Sequence, residues 1–290
     1  MTRADFGGDM TGRVVLLTGA AAGLGRHTAI KLARLGAHVI VHARTAEKAA
    51  KAADEVRDWS DGPVDAVAAD FASLAEVRRM AEKVRTEHPR LNVLVNNAGL
   101  WPFRRQLSKD GFELTIAVNH LAPFLLTNLL LDRLVASAPG RVVTVSSEAH
   151  RGGFIDFSTF QGDRFSGVTA YGQSKLANIL FTVELSRRLT GTGVTANALH
   201  PGIIAGTQIW RGTGPGRLLA AIASPFMMSP ERGSLTSVYL ASSPEVESVS
   251  GQYFLSNMKP GRPSPEATDP LVAEHLWQVS EELTGYARPT

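Results

Sequence analysis

The sequence predicts an α/β protein built on a doubly wound parallel sheet of about seven strands, with helices on both faces. One reason is a regular alternation of short apolar runs and amphipathic stretches along the 290 residues. Such an alternation is typical of parallel strands joined by right-handed crossovers. The other reason is composition, because 44% hydrophobic and 20% charged residues describe an ordinary globular chain. We therefore expect residues 1–290 to form a single domain.

The predicted elements follow one another in a simple order. Strands are predicted at VVLLTG, AHVIVHAR, PVDAVAAD, LNVLVNNAG, GRVVTVSS, VTANALHPG and GQYF, and helices at LGRHTAIKLARLG, TAEKAAKAADEVRDW, SLAEVRRMAEKVRTEH and AYGQSKLANILFTVELSRRL. Ser73 and Glu76 have the spacing of a capping box at the start of the third helix. A long apolar helix is expected over roughly residues 109–137. It should bend or divide at Pro123, because proline has no amide hydrogen to donate.

Composition and charge exclude several classes of function. The formal net charge is only +3 and no block of Lys and Arg stands out, so no nucleic-acid surface is expected. The chain has no cysteine, which excludes disulfides and fits a reducing compartment. The eight histidines form no cluster with ligand spacing, so no metal site is expected. No apolar run reaches about 18 residues, so no integral membrane segment is predicted, and we expect a cytoplasmic protein.

A glycine-spaced turn joins the first predicted strand to the first helix. In TGAAAGLG the glycines are Gly19, Gly23 and Gly25, which is not the G-x-G-x-x-G spacing. Glycines here would let the backbone approach a pyrophosphate, and the following helix would direct its amide groups at the anion. The alternative is a tight turn that binds no ligand.

The end of the second strand bears on the choice of dinucleotide. In VIVHARTAEK, Arg44 follows the strand and no carboxylate occurs before Glu47. An acid at this point would hold the adenosine ribose of NAD(H), whereas an arginine accommodates the 2′-phosphate of NADP(H). NADP(H) is therefore preferred and NAD(H) less favoured. The alternative for Arg44 is a solvated side chain at a helix start.

Two further strand ends carry candidate cofactor contacts. Asp70 and Phe71 could bracket an adenine through a hydrogen bond and an apolar contact, or could belong to a helix cap. Asn96, Asn97 and Ala98 combine amides with a small residue, which suits backbone contact with a ribose and equally suits an ordinary turn.

Four residues form a candidate catalytic set. Tyr171 and Lys175 are four apart in a predicted helix, so they share one face. A nearby ammonium group can lower a tyrosine pKa by about 1 to 3 units, which suits a general acid or base. Ser147 closes the fifth strand, where its hydroxyl could steady a carbonyl oxygen. Asn119 is a polar residue in the apolar context IAVNHLAPF, and it would either hold a water that relays protons to lysine or bond backbone carbonyls.

Taken together, these motifs resemble the short-chain dehydrogenase/reductase superfamily. The resemblance rests on TGAAAGLG, NNAG, Asn119, Ser147, YGQSK at 171–175 and HPG at 200–202, in order over nearly the whole chain. It is greatest for the branch of retinol-dehydrogenase-like and WW-domain-oxidoreductase-like proteins, because of AVNHLAPFLLTNLLL, VSSEAH, AYGQSKLANILFTVEL and the ending GQYF…SPEATDP…LWQVSEELTG. The implied fold is a single-domain Rossmann-like one.

The resemblance also implies roles for individual residues. Ser147 would bind the substrate oxygen, Tyr171 would exchange its proton, Lys175 would lower the pKa of the tyrosine, and Asn119 would hold the relay water. The implied cofactor contacts are Gly19, Gly23, Leu24, Gly25, Asp70, Phe71, Asn96, Asn97, Ala98, Tyr171, Lys175, Pro201, Gly202 and Ile203. The family often has threonine where this chain has Gly206, so Thr207 is taken as the contact for the carboxamide.

The expected activity is that of an NADP(H)-dependent oxidoreductase, which transfers hydride between the nicotinamide and a ketone or aldehyde or the corresponding alcohol. Residues 203–230 should form a lid over a lipophilic or aromatic small molecule, with an interface or a membrane contact as rival interpretations. Residues 257–290 are a C-terminal extension. A non-catalytic NADP(H)-binding sensor or scaffold is the alternative function. The long apolar helix and the helix that carries Tyr171 could pair in a homodimer.

Overall fold

The computed structural model describes residues 7–60, 62–102, 104–161, 166–204 and 228–287. The strands are β1 Val14–Leu17, β2 His38–Ala43, β3 Val64–Ala68, β4 Val93–Asn96, β5 Gly140–Val145, β6 Val194–Leu199 and β7 Tyr253–Phe254. They form one sheet in the order β3-β2-β1-β4-β5-β6-β7, and every adjacent pair is parallel. The predicted doubly wound parallel sheet is confirmed.

Helices cover both faces of this sheet. They are α1 Gly23–Arg34, α2 Ala46–Arg57, α3 Leu74–Glu87, α4 Leu114–Ile116, α5 Ala122–Ala136, α6 Gly167–Arg188, α7 Pro230–Ser242 and α8 Pro270–Thr284. Helices α1, α2 and α7 bury their apolar residues with one face of the sheet, while α3, α5 and α6 do so with the other. The chain order reverses between β1 and β4, and a crevice at such a point is where open α/β sheets place ligands.

The long apolar helix is divided, as its proline predicts, but the division lies just ahead of Pro123. A π-helical turn at Ala117–Leu121 separates α4 from α5, and Pro123 occupies the first turn of α5. By length and composition, Leu114–Ala136 is apolar enough to cross a membrane, and 83% of its most apolar window is buried inside the protein. The segment is therefore accounted for as a core helix.

The start of α3 departs from the predicted capping box. The Ser73 hydroxyl accepts a hydrogen bond from the Glu76 amide at 3.4 Å, as expected. The Glu76 carboxylate, however, accepts from the Asp70 amide at 2.8 Å and from the Lys109 ammonium at 2.7 Å. Glu76 thus links the loop after β3 to the segment before α4. The spacing of residues along the chain does not predict these two hydrogen-bond partners.

The C-terminal extension completes the core on one side of the sheet. Trp277 of α8 lies with its ring 4.9 Å from Phe124 of α5 and 5.8 Å from Phe181 of α6, and it is almost fully buried. The hydroxyl of Ser280 bonds the buried imidazole of His120 at 2.9 Å. Part of the surface that the sequence predicts as a homodimer interface is therefore covered by α8 of the same chain, and the homodimer stays a prediction.

Candidate active site

The glycine turn between β1 and α1 is held against the loop after β4. The Asn97 side-chain amide donates to the carbonyls of Thr18 at 2.8 Å and Gly19 at 3.2 Å. The Thr18 hydroxyl accepts from the amides of Asn97 at 2.9 Å and Ala98 at 3.0 Å. Two predicted cofactor segments are therefore brought together at the carboxyl edge of the sheet. Thr18 was missed by the sequence analysis, because its role depends on a partner 79 residues away.

Each glycine of this turn has its own structural reason. A Cβ on Gly25 would lie 2.2 Å from the Gly19 carbonyl oxygen, so only glycine fits there. Gly19 itself has φ +72° and lies against the backbone of Ala98. Gly23 has φ +56°, but a Cβ there would meet no atom within 4 Å. Gly25 and Gly19 therefore allow close packing, whereas Gly23 faces open space at the start of α1.

The amino end of α1 is built to receive an anion. Its N-cap residue, Ala22, provides no side-chain hydrogen bond, and its first turn has no acidic residue. By contrast, a serine or threonine hydroxyl caps α2, α3, α6 and α7, and a carboxylate caps α8. Free amide groups and the positive end of the helix dipole favour a phosphate here. The open space beside Gly23 fits the pyrophosphate of a dinucleotide.

His42 supports the turn from β2, and the sequence analysis missed it. Its Nδ1 accepts from the Gly19 amide at 3.2 Å, while its Nε2 bonds the Ala69 carbonyl at 2.9 Å. The imidazole is buried and stacks on Phe71 with ring centres 4.4 Å apart. Burial lowers the pKa of His42 to about 4, so the ring is neutral near pH 7. A histidine within the apolar run VIVHA was the available sequence signal.

The other predicted adenosine-side residues are used in different ways. The Oδ1 atom of Asp70 accepts a hydrogen bond from the Ala72 amide at 3.0 Å, so Asp70 stabilises a turn. Its Oδ2 atom takes no part in that hydrogen bond. The Asn96 side chain faces the core and donates to the Thr127 hydroxyl at 2.9 Å. Arg44 is exposed just beyond the carboxyl end of β2. The side chain of Arg44 is thus accessible to a ligand, whereas Asn96 could contact one through its backbone only.

The two proposed catalytic hydroxyls belong to Ser147, which follows the carboxyl end of β5, and Tyr171, which lies near the start of α6. The Ser147 side chain lies near enough to the Tyr171 hydroxyl to influence its pKa. Burial raises the pKa of Tyr171, and the Ser147 side chain opposes that rise. Tyr171 also stacks on Trp101, with ring centres 4.9 Å apart and planes inclined by 15°. The neighbouring Ser146 is directed elsewhere, since its hydroxyl donates to the Lys175 carbonyl at 2.7 Å.

Lys175 lies beside the tyrosine in a dry environment. Its Nζ is 5.5 Å from the centre of the Tyr171 ring and donates to the Val145 carbonyl at 3.0 Å. Burial lowers the pKa of Lys175 to about 8. A cation beside a phenol favours the phenolate, which is what general acid–base exchange near neutral pH requires. Burial nevertheless dominates at Tyr171, so its pKa lies above the ordinary value, whereas the sequence analysis predicted a pKa below it.

The low pKa of Lys175 has a cost in stability. Between about pH 8 and 10.5 the unfolded chain holds more protons at this lysine than the folded protein does, so the unfolding free energy should rise with pH there. Below pH 8 the penalty is complete, at most about 3 kcal/mol. We expect Lys175→Met to stabilise the cofactor-free protein at pH 7 and to weaken this pH dependence. Urea unfolding at pH 7 and pH 10 measures both effects, and equal stability of variant and wild type at pH 7 would contradict the argument.

Asn119 is fully engaged by protein groups. Its Oδ1 accepts from the Leu100 amide at 2.8 Å, and its Nδ2 donates to the Leu100 carbonyl at 2.9 Å and the Ser174 hydroxyl at 3.0 Å. The side chain therefore fixes the NNAG loop against α6, in line with the backbone-bonded alternative. A relay water would have to use the main-chain carbonyl of Asn119, within the π-helical turn, a feature common at functional sites.

The loop after Ser147 is anchored to the C-terminal extension. The buried His150 bonds the Ser147 carbonyl at 2.7 Å through Nδ1, and its Nε2 accepts from the Ser264 amide at 3.1 Å. Glu148 accepts from the Tyr253 hydroxyl at 2.8 Å. These contacts, which the sequence analysis did not anticipate, hold Ser147 in position.

The HPG segment approaches the site from β6. His200 Nδ1 accepts from the Gly202 amide at 3.1 Å, and Gly202 has φ +89°. Ile203 is 60% exposed. Leu24, the remaining predicted contact, is buried and packs near Gly233 of α7, which leaves its backbone for a ligand. Thr207 and most of the predicted lid lie outside the described residues.

Comparison with known proteins identifies the family. A family model described as short chain dehydrogenase matches residues 13–217. The chain belongs to this family. Human retinol dehydrogenase 13 is 44% identical over 288 residues, which cover 96% of this chain and 86% of the relative. The WW domain-containing oxidoreductase of Pongo abelii is 42% identical over 287 residues, which cover 96% of this chain and 69% of that protein. The predicted branch is confirmed, and the chain is an oxidoreductase by family.

A solved structure extends the likeness to three dimensions. A protein from Beutenbergia cavernae, designated an NAD(P) dependent gluconate 5-dehydrogenase and solved with bound NADP at low occupancy, superposes with a TM-score of 0.70. It is 32% identical, and the match covers 86% of this chain and 96% of that one. Family and fold together imply a nicotinamide cofactor, for which the glycine turn and uncapped α1 provide a fitting site.

Proposed function

We propose that the protein is an NADP(H)-dependent oxidoreductase that interconverts a lipophilic or aromatic ketone or aldehyde and the corresponding alcohol. The observation that carries this proposal is the placement of the Tyr171 ring beside the buried Lys175 ammonium, with the Ser147 side chain near enough to lower the pKa of the tyrosine. Acid–base groups in this arrangement would have no purpose in a protein that only bound a dinucleotide. The cytoplasmic location expected from the sequence remains part of the proposal.

The residues divide the work of proton transfer. Bound NADP(H) would supply or accept the hydride. Ser147 would hold the substrate oxygen, and the Tyr171 hydroxyl would donate its proton to that oxygen during reduction or withdraw it during oxidation. Lys175, desolvated and held by Val145, would stabilise the phenolate that remains. Asn119 would keep the NNAG loop and α6 at the spacing this requires.

Three exposed apolar residues support a lipophilic substrate. Phe154 and Val168 are 56% and 69% exposed and follow or precede Ser147 and Tyr171 by seven and three residues, while Ile203, itself a proposed cofactor contact, is 60% exposed. Exposed apolar side chains are a common feature of sites that bind apolar ligands. Trp101 adds an aromatic wall beside the reactive tyrosine. The retinol dehydrogenases among the relatives are named for a substrate of this character.

A screen of carbonyl compounds tests the proposed activity. Aliphatic and aromatic aldehydes and ketones, followed by the loss of NADPH absorbance, should include substrates whose turnover increases with apolar surface. NADPH binding without turnover across the whole panel would favour the alternative, a sensor or scaffold on the same fold.

The preference for NADP(H) rests on Arg44, an exposed guanidinium at the end of β2. An arginine there can bond a 2′-phosphate through two hydrogen bonds. We expect Arg44→Asp to lower the NADPH-over-NADH ratio of kcat/KM at least tenfold, because it removes a cation and adds a charge that repels the phosphate. Lys51→Asp, at an exposed position of α2, makes the same change of charge away from the strand end and is the matched control. An unchanged ratio in the Arg44 variant would show the assignment to be wrong.

A further inference from the structure

Far from the active site, two histidines and an aspartate converge at the amino end of the sheet. His38 begins β2, Asp65 is the second residue of β3, and His88 caps the carboxyl end of α3. One ligand atom from each lies within 4.8 Å of the others. His38 Nε2 is 2.6 Å and His88 Nε2 is 3.9 Å from the same Asp65 oxygen.

Strand geometry explains why these side chains meet. Side chains two residues apart in a strand point to the same face. Ile40 and Val67 pack into the core beneath α3, so His38 and Asp65, two residues before them, face α3 as well. The catalytic groups, in contrast, lie at the carboxyl ends of the strands. The cluster is therefore at the opposite edge of the sheet.

A buried nitrogen without a hydrogen-bond partner points to a ligand at this place. His88 Nε2 is inaccessible to solvent and has no hydrogen-bond partner among the described residues, since 3.9 Å to Asp65 is too long for one. The His88 side chain is 8% exposed, whereas His38 and Asp65 are 26% and 50% exposed. The cluster thus has a buried donor atom and an open side through which an ion can enter.

We propose that His38, Asp65 and His88 bind one divalent transition-metal ion of the Zn²⁺ type. Two imidazole nitrogens and one carboxylate oxygen suit such ions better than they suit Mg²⁺ or Ca²⁺. Ligand atoms around a tetrahedral Zn²⁺ lie about 3.4 Å apart, between the two distances to the Asp65 oxygen found here, so small rotations of these side chains would bring them to three coordination positions. Water would occupy the fourth.

The electrostatic surroundings favour a cation at this place. The carboxyl end of α3 presents the negative end of its helix dipole to the cluster. Glu87 adds a carboxylate nearby, and Lys83 is paired with it at 3.7 Å. The bound ion would fasten the edge strand β3 to β2 and α3, so its role is structural.

The test is calorimetric titration of the metal-stripped full chain with Zn²⁺, together with its thermal unfolding midpoint. We expect one ion per chain and a midpoint about 5 °C higher at a hundredfold excess over Kd. Asp65→Asn and His38→Gln, which alter partly exposed side chains and nearly conserve their shape, should fold normally and are expected to raise Kd at least tenfold. NMR shifts of the imidazole nitrogens of His38 and His88 provide a readout that does not depend on stability.

His275→Gln, in an exposed histidine of α8, is the matched control and should bind Zn²⁺ like the wild type. The proposal is overturned if no ion binds, if Asp65→Asn and His38→Gln bind as tightly as wild type, or if Mg²⁺ raises the midpoint as much as Zn²⁺ does. Each of these results would leave the three residues as a simple ion pair with a neighbouring buried ring.

Discussion

Replacing Tyr171 with phenylalanine should lower kcat for carbonyl reduction by about 10²- to 10⁴-fold, the usual contribution of a positioned acid or base. The ring would keep its stack on Trp101 and its place over Lys175, so the fold and the affinity for NADPH should change little. Only the hydroxyl beside Ser147 is lost. Single-turnover kinetics with saturating NADPH measure the chemical step directly.

Tyr239→Phe is the matched control for this experiment. Its hydroxyl bonds the exposed Glu245 on the other side of the sheet, so its removal should leave kcat unchanged. Turnover by the Tyr171 variant at the rate of the wild type would mean that another group transfers the proton, and the proposed mechanism would have to be abandoned.

A single methyl group at Gly25 should have the largest effect on cofactor binding. A Cβ there would lie 2.2 Å from the Gly19 carbonyl oxygen and 2.6 Å from the Asn97 amide nitrogen. Because one of these is backbone, the turn must open, and the contacts that join it to the β4 loop would be strained. We expect Gly25→Ala to raise the Kd for NADPH at least tenfold and to lower the thermal midpoint by several degrees.

Gly152→Ala controls for the loss of a glycine as such. A Cβ at Gly152 would meet no atom within 4 Å, and the φ of Gly152 is not positive. The Kd for NADPH and the thermal midpoint of Gly152→Ala should therefore match those of the wild type. Isothermal titration with NADPH compares the two variants, and wild-type affinity in Gly25→Ala would exclude a phosphate role for this turn.

The fold could be predicted because its signals are local. Each strand of the sheet is a short apolar run, and each crossover contains a helix of amphipathic or apolar character, so the alternation alone predicts the order of elements. The pairing of Tyr171 with Lys175 is also local, since residues four apart share a helix face. The glycine turn TGAAAGLG and the division of the long apolar helix were also predictable from local sequence, although the division lies just ahead of Pro123.

The partners of polar side chains could not be predicted in the same way. Asn96 turns to Thr127 in the core, Asn97 holds the glycine turn, and Asn119 holds Leu100, although all three looked alike as amides near a ligand. The difference arises from packing between elements distant in sequence. His42 and the His38–Asp65–His88 cluster were missed for the same reason, because no spacing along the chain brings their partners together.

The position of Trp277 has a consequence for how the protein is made. During synthesis the sheet and helices α1 to α7 leave the ribosome before α8 does. Until residues 270–284 emerge, Phe124 and Phe181 lack the aromatic ring that covers them, and an apolar surface is open to other chains. Chaperones would bind this exposed apolar surface of the nascent chain until α8 covers it.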